Sequence, residues 1–262
     1  IPDGNPALQD LVLDNLWQGL SWLERHGVAL GEERDCLAHG RGRLSSAADL
    51  NAVLEGRVRA LGGELALETP MESLLYENGV VRGVRACAPD GVADIEAGAV
   101  VLATGGFQGN PELMARYLTP YGNKVYLRAN PWSTGDGFIA ATEVGAAVTP
   151  GMTAFYGHSL PAPPTRFSAA EFQDVTQRYG PLAVAINLDG RRFADESAGT
   201  GEEYLNQAIA QQRDATAIYV VDANICETPL AHGAIAGVSI KRARARGGHV
   251  IESQTLEELC GA

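Results

Sequence analysis

The sequence predicts an α/β fold on three observations: helical periodicity across its first sixty residues, a run of short β-rich segments broken by hairpin dipeptides, and a continuously apolar stretch that runs into paired glycines. The helical region comes first. Leu8, Leu11, Val12, Leu16, Leu20 and Leu23 recur at intervals of one helical turn, and the run stops at Gly27. Ser46 stands three residues before Asp49 as a variant capping box; Leu50, Val53, Leu54, Val58 and Leu61 then form one helix face, which Gly62-Gly63 ends.

From Glu64 the period changes. Runs over Glu64 to Glu68, Glu72 to Tyr76, Val80 to Ala88 and Val92 to Glu96 are separated in part by Asn78-Gly79 and Asp90-Gly91, which predicts an antiparallel meander. Ala99-Val100-Val101-Leu102-Ala103 differs, because it is apolar throughout and reads as a strand buried on both faces. Beyond it, helices are expected over Glu112 to Tyr117 and Phe138 to Val144, then a proline-rich loop over 157 to 168. After Pro181 come a strand (Leu182 to Asn187), a tight turn at Asp189-Gly190, a helix (Glu202 to Arg213) and a strand (Ala217 to Asp222). A domain boundary is expected near Pro181, dividing 1–180 from 181–262.

Composition narrows the function. A formal charge of −12, from 32 acidic against 20 basic residues, would repel a phosphate backbone and argues against nucleic acid, leaving a small molecule as the expected partner. No apolar stretch approaches the roughly 20 residues of a membrane span, and no basic segment with a cleavage site opens the chain, so a cytoplasmic protein is expected. Cys36, Cys87, Cys226 and Cys260 form no C-x-x-C pair and read as reduced thiols. His26, His39, His158, His232 and His249 are not at helical spacing, so no metal site is expected. The run Lys241, Arg242, Arg244 and Arg246 reads as a helix end closed by Gly247-Gly248, with a phosphate site as the alternative.

Two glycine motifs carry the chemistry. Thr104-Gly105-Gly106 stands at the carboxyl end of the apolar run, where open α/β sheets bind ligands and where glycine lets backbone approach a cofactor; a plain strand-ending turn is the alternative. Thr134-Gly135-Asp136-Gly137 satisfies G-x-G-x-x-A through Ala140 but follows a turn rather than a strand, so it reads as a helix N-terminus facing a polar or anionic group. Simple capping is the alternative there.

Taken in order, Val100 to Phe107, Thr134-Gly135-Asp136-Gly137, and Gly190-Arg191-Arg192-Phe193-Ala194-Asp195-Glu196 resemble successive landmarks of the fumarate reductase and succinate dehydrogenase flavoproteins, including tricarballylate and ketosteroid dehydrogenase-like members. The meander with Gly79-Val80-Val81-Arg82-Gly83-Val84 is similar too. The resemblance implies part of an FAD-binding, Rossmann-like domain of the glutathione-reductase type, followed by part of an α+β capping domain. It implies FAD against Ala103, Thr104, Gly105 and Gly106, and against Thr134, Gly135, Asp136 and Gly137, with Met71 touching the adenine end and Asp136 nearing the flavin.

Arg191 and Arg192 read as a clamp on a carboxylate or, equally, as solubilising residues flanking the Asp189-Gly190 turn. By the same resemblance His158 holds substrate, with a loop histidine bonded to backbone as the alternative, and Glu196 belongs to a proton path, with a solvated or ion-paired surface carboxylate as the alternative. A carboxylate-bearing substrate, hydride transfer to or from flavin N5, and an electron donor or acceptor of unspecified kind follow from it. The chain departs from the family in two ways. Neither Ser197-Ala198-Gly199-Thr200 nor Ala223-Asn224-Ile225-Cys226-Glu227-Thr228 holds the arginines of fumarate reducers, and residues 1 to 60 hold no G-x-G-x-x-G unit. An internal fragment that binds FAD weakly or not at all by itself is therefore expected, and fumarate is disfavoured as substrate. A non-catalytic binding or regulatory module that kept the fold and lost the cofactor stays as the alternative. A ketosteroid substrate would need an apolar, tyrosine-rich pocket that Tyr156, Tyr179 and Tyr204 alone do not assemble.

Overall fold

A computed structural model describes residues 4–35, 40–198, 202–230 and 234–261. Cys36, His39 and His232 lie outside them, as do Gly199 and Thr200. The chain forms two compact units, one from residues 1–105 with 136–151, the other from 106–135 with 152–262. This division follows packing, a different criterion from the family-domain boundary expected at 180/181.

In the first unit, helix α1 (Pro6–Arg25) starts where the Asn5 side chain accepts the Leu8 amide and Pro6 occupies the first turn. None of its residues is buried: Leu8, Leu11, Val12 and Trp17 stay more than half exposed, while Leu20 and Leu23 are half-buried. The two-residue strands β1 (Arg34–Asp35) and β2 (Arg41–Gly42) pair, and helix α2 (Ala47–Ala60) follows, its Ser46 hydroxyl accepting the Asp49 amide as the capping pattern predicts.

The meander is as expected in order: β3 (Met71–Glu77), β4 (Val80–Ala88) and β5 (Gly91–Glu96) form an antiparallel sheet in sequence order. Asn78 and Gly79, with φ of 52° and 82°, form the tight turn that matches strand twist. Gly83 in β4 has φ 152°, and a Cβ there would lie 2.0 Å from the Ile95 carbonyl oxygen, so the two strands meet at a point where only glycine fits. Helix α4 (Asp136–Glu143) packs against β3.

Two expected strands are not formed. Residues 64–68 are irregular and include Glu68 at φ 54°. Residues 99–103 are irregular too, and Val101 is 88% exposed. A strand needs a ladder, and no described strand pairs with 99–103; an apolar run is by itself compatible with several states. All strand pairs among the described residues are antiparallel.

In the second unit, α3 (Pro111–Leu113) is one turn capped by Asn110 and continued by a π turn over Met114–Leu118, where a single longer helix is expected from sequence. Next come α5 (Phe172–Val175), β6 (Val184–Asn187), α6 (Glu202–Ala210), β7 (Ala217–Val220), α7 (Ala223–Glu227), α8 (Ala236–Ala245) and α9 (Leu256–Gly261). β6 pairs with β7 antiparallel. Tyr179, Ala183 and Ala236 are buried at the centre, with Tyr219, Val221, Ile225, Leu230 and Ile240 packed around them. The Thr119 hydroxyl donates to the Ala210 carbonyl at 2.5 Å and the Gln211 amide to that of Leu118 at 2.7 Å, tying the end of α6 to the π turn.

α8 ends as expected, with Gly247 and Gly248 amides returning to Arg244 and Ala243 carbonyls. Its arginines are taken up locally: Arg242 pairs with Asp174, Arg244 with Glu252 and Arg246 with Glu171. That leaves little of the run to bind phosphate.

Candidate functional site

The residues expected to meet a cofactor fall in both units and are described within each. In the first, Met71 opens β3 opposite Ala86, half-buried. Ala103, Thr104 and Gly105 are exposed, and Gly105 has φ 77°, a conformation that glycine adopts without strain. Asp136 is the first residue of α4 and exposed, its charge placed where the helix dipole favours an anion. Gly137 is buried, and a Cβ on it would stand 2.3 Å from Thr104 Oγ1. The turn and the first turn of α4 thus touch through a gap that a methyl group would fill. Bare, exposed backbone at 103–105 beside a helix N-terminus is a surface that a nucleotide cofactor can approach closely, and the residues fit FAD in that sense.

This contact yields an expected result. Gly137→Ala should destabilise the full-length protein by about 2 kcal/mol through the clash with Thr104. Adding Thr104→Ala should recover much of that loss in urea unfolding; equal destabilisation of single and double variants would show that the contact is not the cause.

In the second unit, Gly106 is exposed and Thr134 half-buried, and Gly135, at φ 90°, is buried where a Cβ would sit 2.5 Å from Leu113 Cδ1 and 2.9 Å from Phe107 Cβ. The Asn110 side chain donates to the Thr134 carbonyl at 3.0 Å while its oxygen caps α3.

Arg192 and Glu196 meet each other. Glu196 is 2% exposed; its carboxylate accepts the Ala185 amide of β6 at 2.7 Å, and Arg192 Nε lies 3.1 and 3.0 Å from its two oxygens. Arg192 Nη2 adds a bond of 2.5 Å. The Arg192 guanidinium foremost, with the β6 amide, lowers the Glu196 carboxyl to about 2, against the opposing effect of burial. The carboxylate that Arg192 clamps in this structure is therefore Glu196, and Glu196 stays ionised at neutral pH. A group so acidic is a poor proton acceptor near pH 7.

His158 is half-buried. Its Nε2 lies 3.1 Å from the Tyr156 hydroxyl, and its ring stands edge-on to Phe172 with centroids 5.7 Å apart. The segment around it is held from α6: Asn206 donates to the Gly157 carbonyl at 2.9 Å and Gln207 to that of Phe155 at 3.0 Å. Ser159 bonds the Asn206 side chain at 2.5 Å and the Tyr219 hydroxyl at 2.6 Å. His158 thus meets Tyr156 and Phe172, and Arg192 and Glu196 meet each other.

Asn206, Gln207, Tyr219 and Phe172 escape sequence reasoning. The one available signal is the polar pair Asn206-Gln207 inside an otherwise amphipathic helix, which reads as ordinary surface until its partners about fifty residues away are known. Among the described residues, no group of three His, Cys, Asp or Glu side chains is placed to hold a metal ion, and no helix is long and apolar enough to cross a membrane.

Comparison with known proteins adds the following. A family model described as FAD binding domain matches residues 3–228. A 3-oxosteroid 1-dehydrogenase of Mycobacterium tuberculosis (strain ATCC 25618 / H37Rv) is 25% identical over 98% of this chain and 48% of its own length. A probable fumarate reductase of Shewanella frigidimarina (strain NCIMB 400) is 30% identical over 78% of this chain and 35% of its own. The open conformation of a flavocytochrome c3 fumarate reductase superimposes with a TM-score of 0.55 at 25% identity, covering 89% of this chain and 39% of that one. The chain spans about half the length, or less, of the curated relatives it matches.

Proposed function

This chain belongs to the FAD binding domain family, and from that premise we propose that the protein it forms part of is an FAD-dependent oxidoreductase acting on a C–C bond of a small organic substrate. The observation that carries the reading is the exposed glycine turn at 103–105 packed onto the buried Gly137 of α4. FAD, when bound, supplies hydride transfer at flavin N5. Met71, Ala103, Thr104, Gly105, Asp136 and Gly137 of the first unit, and Gly106, Thr134 and Gly135 of the second, are the residues we assign to holding it.

His158 is assigned to the substrate, its ring oriented by Tyr156 and its backbone fixed by Asn206 and Gln207. Arg192 and Glu196 are assigned to the same active region as a pair in which Glu196 holds the guanidinium in place. The names of the relatives divide between a 3-oxosteroid and fumarate, so the substrate is either a neutral ring system or a carboxylate. An electron donor or acceptor is a second partner. Residues 1–180 are assigned to the FAD-binding part and 181–262 to the substrate-capping part. A cytoplasmic setting is assigned, in keeping with four cysteines at scattered spacings and no C-x-x-C pair.

The visible absorbance spectrum of the full-length protein tests the reading. A flavin spectrum is expected, bleached by one member of a panel of carboxylic acids and steroids under reducing or oxidising turnover. A colourless protein that takes up no added FAD would sink it and leave the binding-module alternative.

A further inference from the structure

Phe172 gathers polar side chains from two other parts of the second unit. The Arg128 guanidinium carbon lies 4.0 Å above its ring centroid. His158 stands against its edge, and the Tyr156 hydroxyl bonds His158 Nε2. Phe172 itself is 6% exposed and so is a fixed platform, whereas Arg128 and Tyr156 are exposed to an arriving ligand.

A guanidinium stacked on an aromatic face spends its π surface on the ring and keeps its N–H donors in plane, directed past the rim. That edge matches the two oxygens of a carboxylate. No carboxylate among the described residues pairs with Arg128, in a chain whose acidic residues outnumber its basic ones.

We propose that Arg128 is an anion-binding residue beside His158, and that the substrate carries a carboxylate at the end that meets the Tyr156–His158 pair. The inference rests on the assignment of His158 to the substrate, and it selects the carboxylate class over the neutral steroid class. Contact with the buried Phe172 ring restrains the guanidinium before the ligand arrives, so less side-chain freedom is lost on binding.

The test is calorimetric titration of the full-length protein and its Arg128→Gln and Arg128→Lys variants with fumarate, acrylate and 4-androstene-3,17-dione. A carboxylate should bind the unaltered protein, with affinity falling about tenfold or more in Arg128→Gln, the scale of a lost charge-assisted hydrogen bond. Arg128→Lys should fall between, and added salt should weaken the unaltered protein most. Equal carboxylate affinity in all three proteins, binding of the steroid alone, or binding of none of the three probes overturns the proposal. The flavin spectrum is recorded separately: a colourless protein removes the oxidoreductase reading, while the titration still decides what Arg128 does.

Discussion

Glu196→Ala is expected to cost the full-length protein about 3 kcal/mol of stability, a large effect for one side chain. Two things are lost together: the buried Ala185 amide loses its acceptor, and Arg192 loses the charge it clamps. Arg192 is 59% exposed, so water recovers part of its share and the loss falls at the lower end of what breaking a buried pair costs, about 3 kcal/mol rather than 5. Glu196→Gln keeps an acceptor for Ala185 and should lose about 2 kcal/mol. Urea unfolding of these variants, of Arg192→Ala and of the double variant gives the coupling directly; additive losses would mean that the two residues act independently.

The same pair sets an acid limit. The folded-state pKa of Glu196 is lowered to about 2 from an ordinary 4.5, so its contribution is fully present above about pH 5 and is lost as pH falls toward 2. Glu171, lowered to about 2 by the Ser168 amide and hydroxyl and by Arg246, acts in the same direction. Stability measured from pH 6 down to pH 3 should decline less steeply in Glu196→Gln than in the unaltered protein, and parallel curves would contradict this.

Gly83→Ala is the second large expected effect, about 3 kcal/mol. The added Cβ meets the Ile95 carbonyl oxygen and the Glu96 Cα, both backbone atoms of β5, so no side chain can turn aside to make room. Gly91→Ala is the control, because Gly91 also has positive φ, 136°, but a Cβ there would meet nothing within 4 Å. Its cost should be limited to backbone strain, about 1 kcal/mol. If both variants unfold at the same urea concentration, the close approach of β4 and β5 is not what requires glycine.

Much of this architecture was legible because its cause is local. Asn5 and Ser46 cap the helices that follow them, and Asn78-Gly79 dictates a hairpin within four residues. Thr104-Gly105-Gly106 announces a bare turn by composition alone. Residues 99–103 misled, because an apolar run states only that a segment is to be covered, whereas a strand is defined by neighbours that its own sequence does not mention. Arg192 and Glu196 were visible as residues but not as partners: they sit four apart outside any helix, where spacing alone sets no contact. Asn206 was invisible, since an asparagine on a helix discloses nothing about a carbonyl 49 residues earlier.

The contacts of α6 also set an order in time. The capping box at Ser168 closes over three residues, but Asn206 reaches back 49, Gln207 reaches back 52, and the Thr119 hydroxyl waits for a carbonyl 91 residues further on. Long closures come late because chain entropy is lost before the bond is gained. A ribosome that has already made His158 must therefore add some fifty more residues before that histidine acquires its place. During synthesis the aromatic cluster around Phe172 exists first without its anchors, and a nascent chain stalled before Asn206 would hold the right residues in no fixed arrangement.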